Sequence, residues 1–277
     1  LSGLRVLVDC SNGSAFATAR ELFPRLNCDA TIINAEPDGK NVNRACGSTH
    51  VELLADLVLK GGYDLAVAFD GDADRCLAMD ECGHVVDGDR MIAIFAAELK
   101  RHGKLRGNTA VVTVMSNFGF FRFAEEQGIN TRTTKVGDRY VLEVMLAEGF
   151  SIGGEQSGHI IFSDYMNTGD GQLSAIQLIA AMKSSGKKLS ELAHIIKIMP
   201  QVLLNVEATR DMKAGINDSM ELAHILRGCE ARLEGRGRVL LRPSGTEPLI
   251  RVMVEGEEHA ELNEIANELA AAIKKYL

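Results

Sequence analysis

Three carboxylates at alternate positions follow a short apolar run in the first third of the chain. The run is Leu65 to Phe69, and it continues as Asp70-Gly71-Asp72-Ala73-Asp74-Arg75, the acidic loop. Side chains at i, i+2 and i+4 of an extended loop point the same way, so Asp70, Asp72 and Asp74 can converge. Because ionised carboxylates repel at short range unless a cation lies between them, this spacing predicts a site for a hard divalent ion, Mg²⁺ first. Arg75 is then placed to hold a phosphate oxygen beside the metal.

Two other interpretations of the acidic loop compete with the metal site. The three aspartates also fit positions one, three and five of an EF-hand loop, with Glu81 at position twelve. However, Arg75 occupies the sixth position, where that loop needs glycine, and the preceding run is β-like instead of an amphipathic helix. A solvated acidic turn is the other alternative in an acidic protein.

A glycine-spaced polar segment, Gly153-Gly154-Glu155-Gln156-Ser157-Gly158-His159, lies between two short apolar runs. Glycine lets the backbone approach a ligand closely, and Glu155 and Ser157 can face one way and hydrogen-bond vicinal hydroxyls. This glycine-rich loop (residues 153–159) therefore predicts a reader of sugar hydroxyls, although a β-turn whose polar groups cap each other is an alternative. His159 is a candidate general base, but a lone histidine is more often structural.

A third segment near the end of the chain carries the parts of a phosphate clamp. Arg242-Pro243-Ser244-Gly245-Thr246-Glu247-Pro248, the arginine loop, lies between two apolar runs and is followed by Arg251. Two guanidinium groups, the hydroxyls of Ser244 and Thr246, and a turn opened by Gly245 suit a bound phosphate. A rigid proline-bounded hairpin turn is the alternative. Lys135 and Arg139 lie near a predicted helix start and are further candidates for holding phosphate, unless they belong to a solvated helix end.

The elements that must position these loops repeat along the chain. Arg5 to Asp9 reads as a strand followed by a turn and a helix, and Ala110 to Val114 begins the same pattern about a hundred residues later. This repeat predicts two consecutive α/β three-layer domains of similar topology, followed by a C-terminal α+β domain. We place the domains at residues 1–88, 89–199 and 200–277, with the acidic, glycine-rich and arginine loops in that order.

Composition limits the classes of partner. The 277 residues are 46% hydrophobic and 25% charged with a net charge of −8, and no basic stripe occurs, so a nucleic-acid partner is not predicted. No apolar run approaches the length of a membrane span. Six scattered cysteines without a C-x-x-C pair predict reduced thiols and a cytoplasmic location, and the spacing of Cys76, Cys82 and His84 does not fit known zinc clusters. A homodimer is compatible with the sequence.

Taken together, the three loops resemble the α-D-phosphohexomutase superfamily over essentially the whole chain. The resemblance implies a phosphosugar mutase with Mg²⁺ on Asp70, Asp72 and Asp74. It also implies roles for further residues: Arg75, Lys135 and His159 would be catalytic, and Glu155, Ser157, Arg242, Ser244, Gly245, Thr246 and Arg251 would bind substrate. Within this resemblance His159 is the candidate acid–base group, and Asp138 would stand where relatives carry a histidine.

The resemblance also implies a part that these residues do not contain. Family members begin with another α/β domain that carries a phosphorylated serine in a Thr-Ala-Ser-His-Asn-Pro-like loop, and no such loop occurs here. We therefore expect this chain to correspond to the second to fourth domains and to have no mutase activity alone. The segments 41–50, 135–140 and 155–157 most resemble the branch that acts on glucosamine phosphates. A mutase of mixed hexose specificity and a non-catalytic sugar-phosphate-binding chain remain alternatives.

Overall fold

A fully buried strand leads into the acidic loop. In the computed structural model, which describes residues 1–245 and 247–277, Leu65–Phe69 forms this strand and every one of its side chains is buried. An apolar run of this length that has no polar face is typical of a strand covered on both sides. Thr246, one of the predicted substrate-binding residues, lies outside the described residues.

The described residues form two compact units. The first comprises Leu1–Ser116 with Phe120–Lys197, and the second comprises Asn117–Gly119 with Ile198–Leu277. The strands are β1 (Arg5–Asp9), β2 (Asp29–Ile33), β3 (Leu65–Phe69), β4 (Cys76–Asp80), β5 (Val85–Val86), β6 (Thr109–Thr113), β7 (Asn130–Thr134), β8 (Ile152–Gly154), β9 (Ile160–Phe162), β10 (Gln201–Glu207), β11 (Arg238–Pro243) and β12 (Leu249–Glu255). The α-helices are α1 (Ala15–Arg25), α2 (Ala55–Gly61), α3 (Gly88–Arg101), α4 (Phe118–Glu126), α5 (Asp138–Glu148), α6 (Gly171–Ser185), α7 (Leu189–Ala193), α8 (Arg210–Gly215), α9 (Met220–Arg232) and α10 (His259–Tyr276), with short 3₁₀ turns at Ser48–Leu54 and Arg106–Asn108.

The two sheets of the first unit share one topology. The strand order is β2-β1-β3-β4-β5 in one sheet and β7-β6-β8-β9 in the other. In each sheet the first three strands are parallel, and the fourth is antiparallel to its neighbour. The predicted pair of similar α/β domains is therefore confirmed, and the second unit, with its three-stranded antiparallel sheet β10-β12-β11, is the predicted α+β domain. The residue boundaries between the domains stay a prediction.

Aspartate caps fix where two helices of the first unit begin. Asp87 accepts a hydrogen bond from the backbone N–H of Arg90 at the start of α3, and Asp170 accepts one from Leu173 at the start of α6. Such caps satisfy backbone donors that a helix leaves unpaired in its first turn, so they hold the helix start in place. Both helix starts lie beside the loops described below.

Several elements differ from the sequence prediction. The edge strands β2 and β7 were not predicted, because Asp29–Ile33 and Asn130–Thr134 are half-exposed and only weakly apolar. A 3₁₀ turn at Ser48–Leu54 leads directly into α2, and α7 is a short helix that ends at Ala193. Among the described residues, no helix combines the length and apolar character needed to cross a membrane.

Candidate active site

The acidic loop turns sharply after β3 and brings its three carboxylates together. One oxygen each from Asp70, Asp72 and Asp74 can be chosen so that all lie within 4.8 Å of one another. The sequence analysis assumed an extended loop, but the loop is a tight turn. The N–H of Ala73 donates to the carbonyl of Asp70 at 3.1 Å, and Ala73 has a φ of 62°. A tight turn with a left-handed residue therefore produces the convergence.

Charge is concentrated at the buried end of this loop. Asp70 is 4% exposed, and burial, with a further contribution from the charge of Asp74, raises its pKa to about 6. The Arg75 guanidinium Nε lies 3.1 Å from Asp70 Oδ2 and 3.5 Å from Asp74 Oδ1, and its backbone N–H donates to Asp70. Burial disfavours the ionised carboxylate, and the nearby positive charge favours it.

The carboxylates fit a hard divalent cation. Asp74 Oδ1 is buried and accepts no hydrogen bond among the residues that the structure describes, and its ion pair with the Arg75 guanidinium is long, at 3.5 Å. A buried carboxylate oxygen without a donor is costly unless a cation binds it. Oxygen ligands from three carboxylates, one of them exposed to solvent at Asp72, are the donor type that Mg²⁺ prefers. The flanking elements are strands, so the EF-hand alternative is not supported.

His159 connects the glycine-rich loop to the acidic loop. Its Nε2 accepts a hydrogen bond from the N–H of Gly169 at 3.1 Å, so Nδ1 carries the hydrogen and donates to Asp74 Oδ2 at 3.0 Å. The imidazole is 5% exposed. Both ring nitrogens are therefore occupied, and the predicted acid–base role would require one of these bonds to break.

Backbone contacts reinforce the connection between these two loops. The N–H of Cys76 donates to the carbonyl of Gly158, and Arg75 and His159 form an isolated antiparallel bridge. A Cβ at Gly158 would lie 2.3 Å from the Cys76 carbonyl oxygen, so the approach requires glycine there. The strand end that follows the three aspartates and the loop predicted to read hydroxyls thus share one backbone junction.

Glu155 and Ser157 of the glycine-rich loop differ in their contacts and in their exposure to solvent. Glu155 Oε1 accepts from the N–H of Gly137 at 2.9 Å, which ties this loop to the segment that carries Lys135. Ser157 is exposed at the tip of the turn, and Lys135 is also exposed. Arg139, the other candidate for holding phosphate, pairs with Glu143 on its own helix at 2.7 Å.

The arginine loop lies in the second unit, between β11 and β12. Arg242 and Arg251 are directly opposite each other in the antiparallel register of these strands. Like charges at opposed positions destabilise a strand pair unless an anion neutralises them. Arg251 Nη2 donates to Glu247 at 2.6 Å, whereas its buried Nε has no acceptor among the described residues. Ser244 is 5% exposed, and its hydroxyl accepts from the N–H of Glu247 at 3.1 Å.

Three family models, each for one domain, match consecutive parts of the chain. They are described as phosphoglucomutase/phosphomannomutase alpha/beta/alpha domain II (residues 1–83), alpha/beta/alpha domain III (residues 87–199) and C-terminal domain (residues 203–272). The chain belongs to the phosphoglucomutase/phosphomannomutase family. Each of the three loops falls within a different one of the matched domains.

Curated relatives in this family cover the whole of the chain but are longer. The phosphoglucosamine mutase of Clostridium tetani is 55% identical over 275 residues, and that of Caldicellulosiruptor saccharolyticus is 50% identical over 275 residues. In both cases the match covers 99% of this chain and 61% of the relative. The chain thus spans about three fifths of the length of these phosphoglucomutase/phosphomannomutase relatives.

Solved structures of the phosphoglucomutase/phosphomannomutase fold superpose on the chain. One is the Aspergillus fumigatus N-acetylphosphoglucosamine mutase in complex with GlcNAc-6P and magnesium, with a TM-score of 0.80, 22% identity, and coverage of 99% of this chain and 62% of that one. Another is a Burkholderia thailandensis family protein with a TM-score of 0.79, 24% identity, and coverage of 98% and 60%. At these identities the likeness concerns the fold.

The sequence analysis did not identify residues 169–171, whose backbone N–H groups form hydrogen bonds to His159 and to the acidic loop. Gly169 donates to His159, and the N–H of Gly171 donates to the carbonyl of Ala73 at 2.9 Å. A Cβ on Gly171 would lie 2.4 Å from the carbonyl oxygen of Arg75. The available signal was the tripeptide Gly169-Asp170-Gly171, in which two glycines flank a helix-capping aspartate.

Proposed function

We propose that this chain supplies the metal, sugar and phosphate sites of a Mg²⁺-dependent mutase that interconverts glucosamine 6-phosphate and glucosamine 1-phosphate. The observation that carries the proposal is the contact between Asp74 and His159, which joins a trio of carboxylates to a loop suited to hydroxyls. The names and the 50–55% identity of the curated relatives support the amino-sugar substrate. Such an enzyme belongs to the synthesis of nucleotide-linked N-acetylglucosamine.

In this proposal a phosphoserine outside these 277 residues donates its phosphoryl group to one sugar oxygen, and the hydroxyl proton leaves to a base. The resulting sugar bisphosphate turns round and returns its other phosphoryl group to the serine, so the 6-phosphate becomes the 1-phosphate. Asp70, Asp72 and Asp74 would hold the ion, and Mg²⁺ when bound would neutralise charge on the transferring group. Arg75 and Lys135 would contact phosphoryl oxygens.

The remaining site residues would bind and orient the sugar phosphate. Glu155 and Ser157 accept and donate hydrogen bonds to hydroxyls near the turning axis, so both orientations of the bisphosphate can bind. Arg242, Ser244, Gly245 and Arg251 hold the phosphate that does not react, together with Thr246 by resemblance. We also propose a cytoplasmic location, since all six cysteines are free thiols.

For His159 the geometry favours a positioning role over the predicted acid–base role. We expect His159→Leu to lower Mg²⁺ affinity and kcat together, because leucine has no N–H and Asp74 would lose the donor that fixes its orientation. The pH profile of kcat/KM should keep its shape. Isothermal titration with MgCl₂ and a pH–rate series on the natural gene product measure both quantities. Loss of one limb of the pH profile with unchanged Mg²⁺ affinity would restore the acid–base role.

For the arginine loop, Arg251→Gln should weaken phosphosugar binding by roughly ten- to a hundredfold, since a charge-assisted hydrogen bond contributes about 1.5–3 kcal/mol. Calorimetry with glucosamine 6-phosphate measures this loss. Arg236→Gln is the matched control, because Arg236 pairs with Glu261 on the surface of the same unit. Equal affinities in the two variants would remove Arg251 from the phosphate site.

The proposed function is tested by following glucosamine 6-phosphate with ³¹P NMR in the presence of MgCl₂ and a trace of the sugar 1,6-bisphosphate. The natural gene product should form glucosamine 1-phosphate, and faster than it converts mannose 6-phosphate. The 277-residue chain should bind the substrate without turnover. Equal rates with the two sugars would favour a mutase of mixed specificity. Binding without turnover by the natural gene product would favour a non-catalytic sugar-phosphate-binding protein.

A further inference from the structure

The turn between β4 and β5 carries a second group of metal-ligating side chains, separate from the acidic loop. One ligand atom each from Asp80, Cys82 and His84 lies within 4.8 Å of the others. The buried Asp80 folds the turn, because its Oδ1 accepts from the N–H of Cys82 at 2.9 Å and from that of His84 at 2.8 Å. Its second oxygen, Oδ2, faces His84 Nδ1 at 3.4 Å.

The neighbouring helix α7 places a second imidazole on the wall of a cavity that Asp80 and His84 also line. The carboxylate of Glu81 accepts hydrogen bonds from the backbone N–H and the hydroxyl of Ser190, so the turn is held against α7. His194 follows Ser190 by four residues and lies on the same side of the helix. Asp80, His84 and His194 together line one open cavity of about 260 Å³.

The hydrogen bonding of His194 leaves one ring nitrogen, Nε2, available to bind a metal ion. Its Nδ1 lies 2.5 Å from the backbone carbonyl oxygen of Ser190, which can only accept, so Nδ1 carries the hydrogen. Nε2 therefore holds the lone pair. Histidines that bind metals usually donate their other ring N–H to a carbonyl or carboxylate in this way, which fixes the tautomer before the metal arrives.

We propose that Asp80, Cys82, His84 and His194 form a site for a borderline transition-metal ion, Zn²⁺ above all, that clasps the β4–β5 turn to α7. One thiolate, one carboxylate and two imidazoles are a four-ligand set that suits tetrahedral Zn²⁺. The thiol proton of Cys82 passes to the buffer when the ion binds, and the two anionic ligands then balance the charge of the ion.

Two neighbouring residues, Arg90 and Cys76, do not take part in this proposed site. Arg90 also lines the cavity, but its guanidinium donates to the carbonyl of Val85, and the neutral assembly of ion and ligands does not repel it. The sequence prediction discounted zinc because it grouped Cys76 with Cys82 and His84. In the structure Cys76 is fully buried in β4, and Asp80 takes its place in the cluster.

Cobalt(II) tests the proposal directly, because a cobalt–thiolate bond absorbs in the near ultraviolet and carboxylates give no such band. We expect one equivalent of Co²⁺ to produce the band in the 277-residue chain, and Zn²⁺ to displace it. The band should persist in Asp72→Asn, which alters only the acidic loop, and disappear in Cys82→Ser. Cys82 is exposed in a turn, so the fold should survive, and circular dichroism checks this.

His194→Asn tests the clasp itself, with His224→Asn on the exposed face of α9 as the matched control. We expect His194→Asn to weaken Zn²⁺ binding by more than about a hundredfold, the upper end of the loss that outer-shell changes alone can cause. Zn²⁺ should also slow hydrogen exchange in α7. Absence of the thiolate band in the unaltered chain would overturn the site. Unchanged Zn²⁺ affinity in His194→Asn would overturn the clasp.

Discussion

Replacing Asp72 by Asn should abolish most mutase activity while leaving the fold intact. Asp72 is the exposed member of the carboxylate trio, and the substitution removes one charge without changing the size of the side chain. Charge stabilisation by a bound metal contributes several kcal/mol to phosphoryl transfer, so we expect kcat of the natural gene product to fall by about 10²- to 10³-fold. Mg²⁺ affinity should fall with it, as calorimetry on the 277-residue chain can measure.

The matched control for Asp72→Asn is Asp218→Asn, which removes the same charge from an exposed position in the second unit. Its activity and metal affinity should equal those of the unaltered protein. If Asp72→Asn retained full turnover at limiting Mg²⁺, the acidic loop would not be the metal site. The solvated-turn interpretation would then replace it.

Replacing Gly171 by Ala should lower both the stability of the first unit and its affinity for Mg²⁺. The added Cβ would lie 2.4 Å from the Arg75 carbonyl oxygen and 2.9 Å from the ring of Phe69, so the loop or the start of α6 must move. Overpacking of this kind costs about 1–3 kcal/mol, and each kcal/mol corresponds to roughly 2–4 °C in Tm for a unit of this size. We expect Mg²⁺ affinity to drop as well, since the N–H of Gly171 holds the carbonyl of Ala73, which lies between two of the proposed metal ligands.

Gly228→Ala provides a helical glycine for comparison. Gly228 lies exposed within α9, and a Cβ there would meet no atom within 4 Å. Because alanine is the better helix former, this variant should be more stable by about 1 kcal/mol. Thermal unfolding of both variants, followed by calorimetric Mg²⁺ titration, gives the comparison. A Gly171→Ala protein as stable as Gly228→Ala, with unchanged Mg²⁺ affinity, would show that the contact behind Arg75 does not matter.

The sequence predicted strands where burial leaves a short, continuous apolar run. Leu65–Phe69 is apolar throughout and forms the central strand β3, and the turn from β4 to β5 follows its apolar–glycine pattern. The edge strand Asn130–Thr134 escaped prediction because its side chains are mostly polar and half-exposed. Strand propensity there depends on pairing with β6, which a local pattern does not contain.

For the candidate site, residue types indicated the chemistry but not the contacts that arrange it. The three aspartates could be recognised from their spacing, whereas their convergence depends on the left-handed conformation of Ala73. The bond from His159 to Asp74 joins residues 85 positions apart. Such contacts form between loops that belong to two different sheets, and a single sequence does not encode them in any local pattern.

The junction at Gly158 and Cys76 limits how these domains could be exchanged between relatives. A recombinant that joined residues 1–83 of one family member to the following domain of another would have to preserve a glycine opposite the strand end and a histidine opposite the last aspartate. A crossover that lost either partner would separate the ion from the sugar. In the proposed mutase, metal use and sugar choice would therefore be inherited as a pair, and a change of substrate would have to occur within loops that already fit each other.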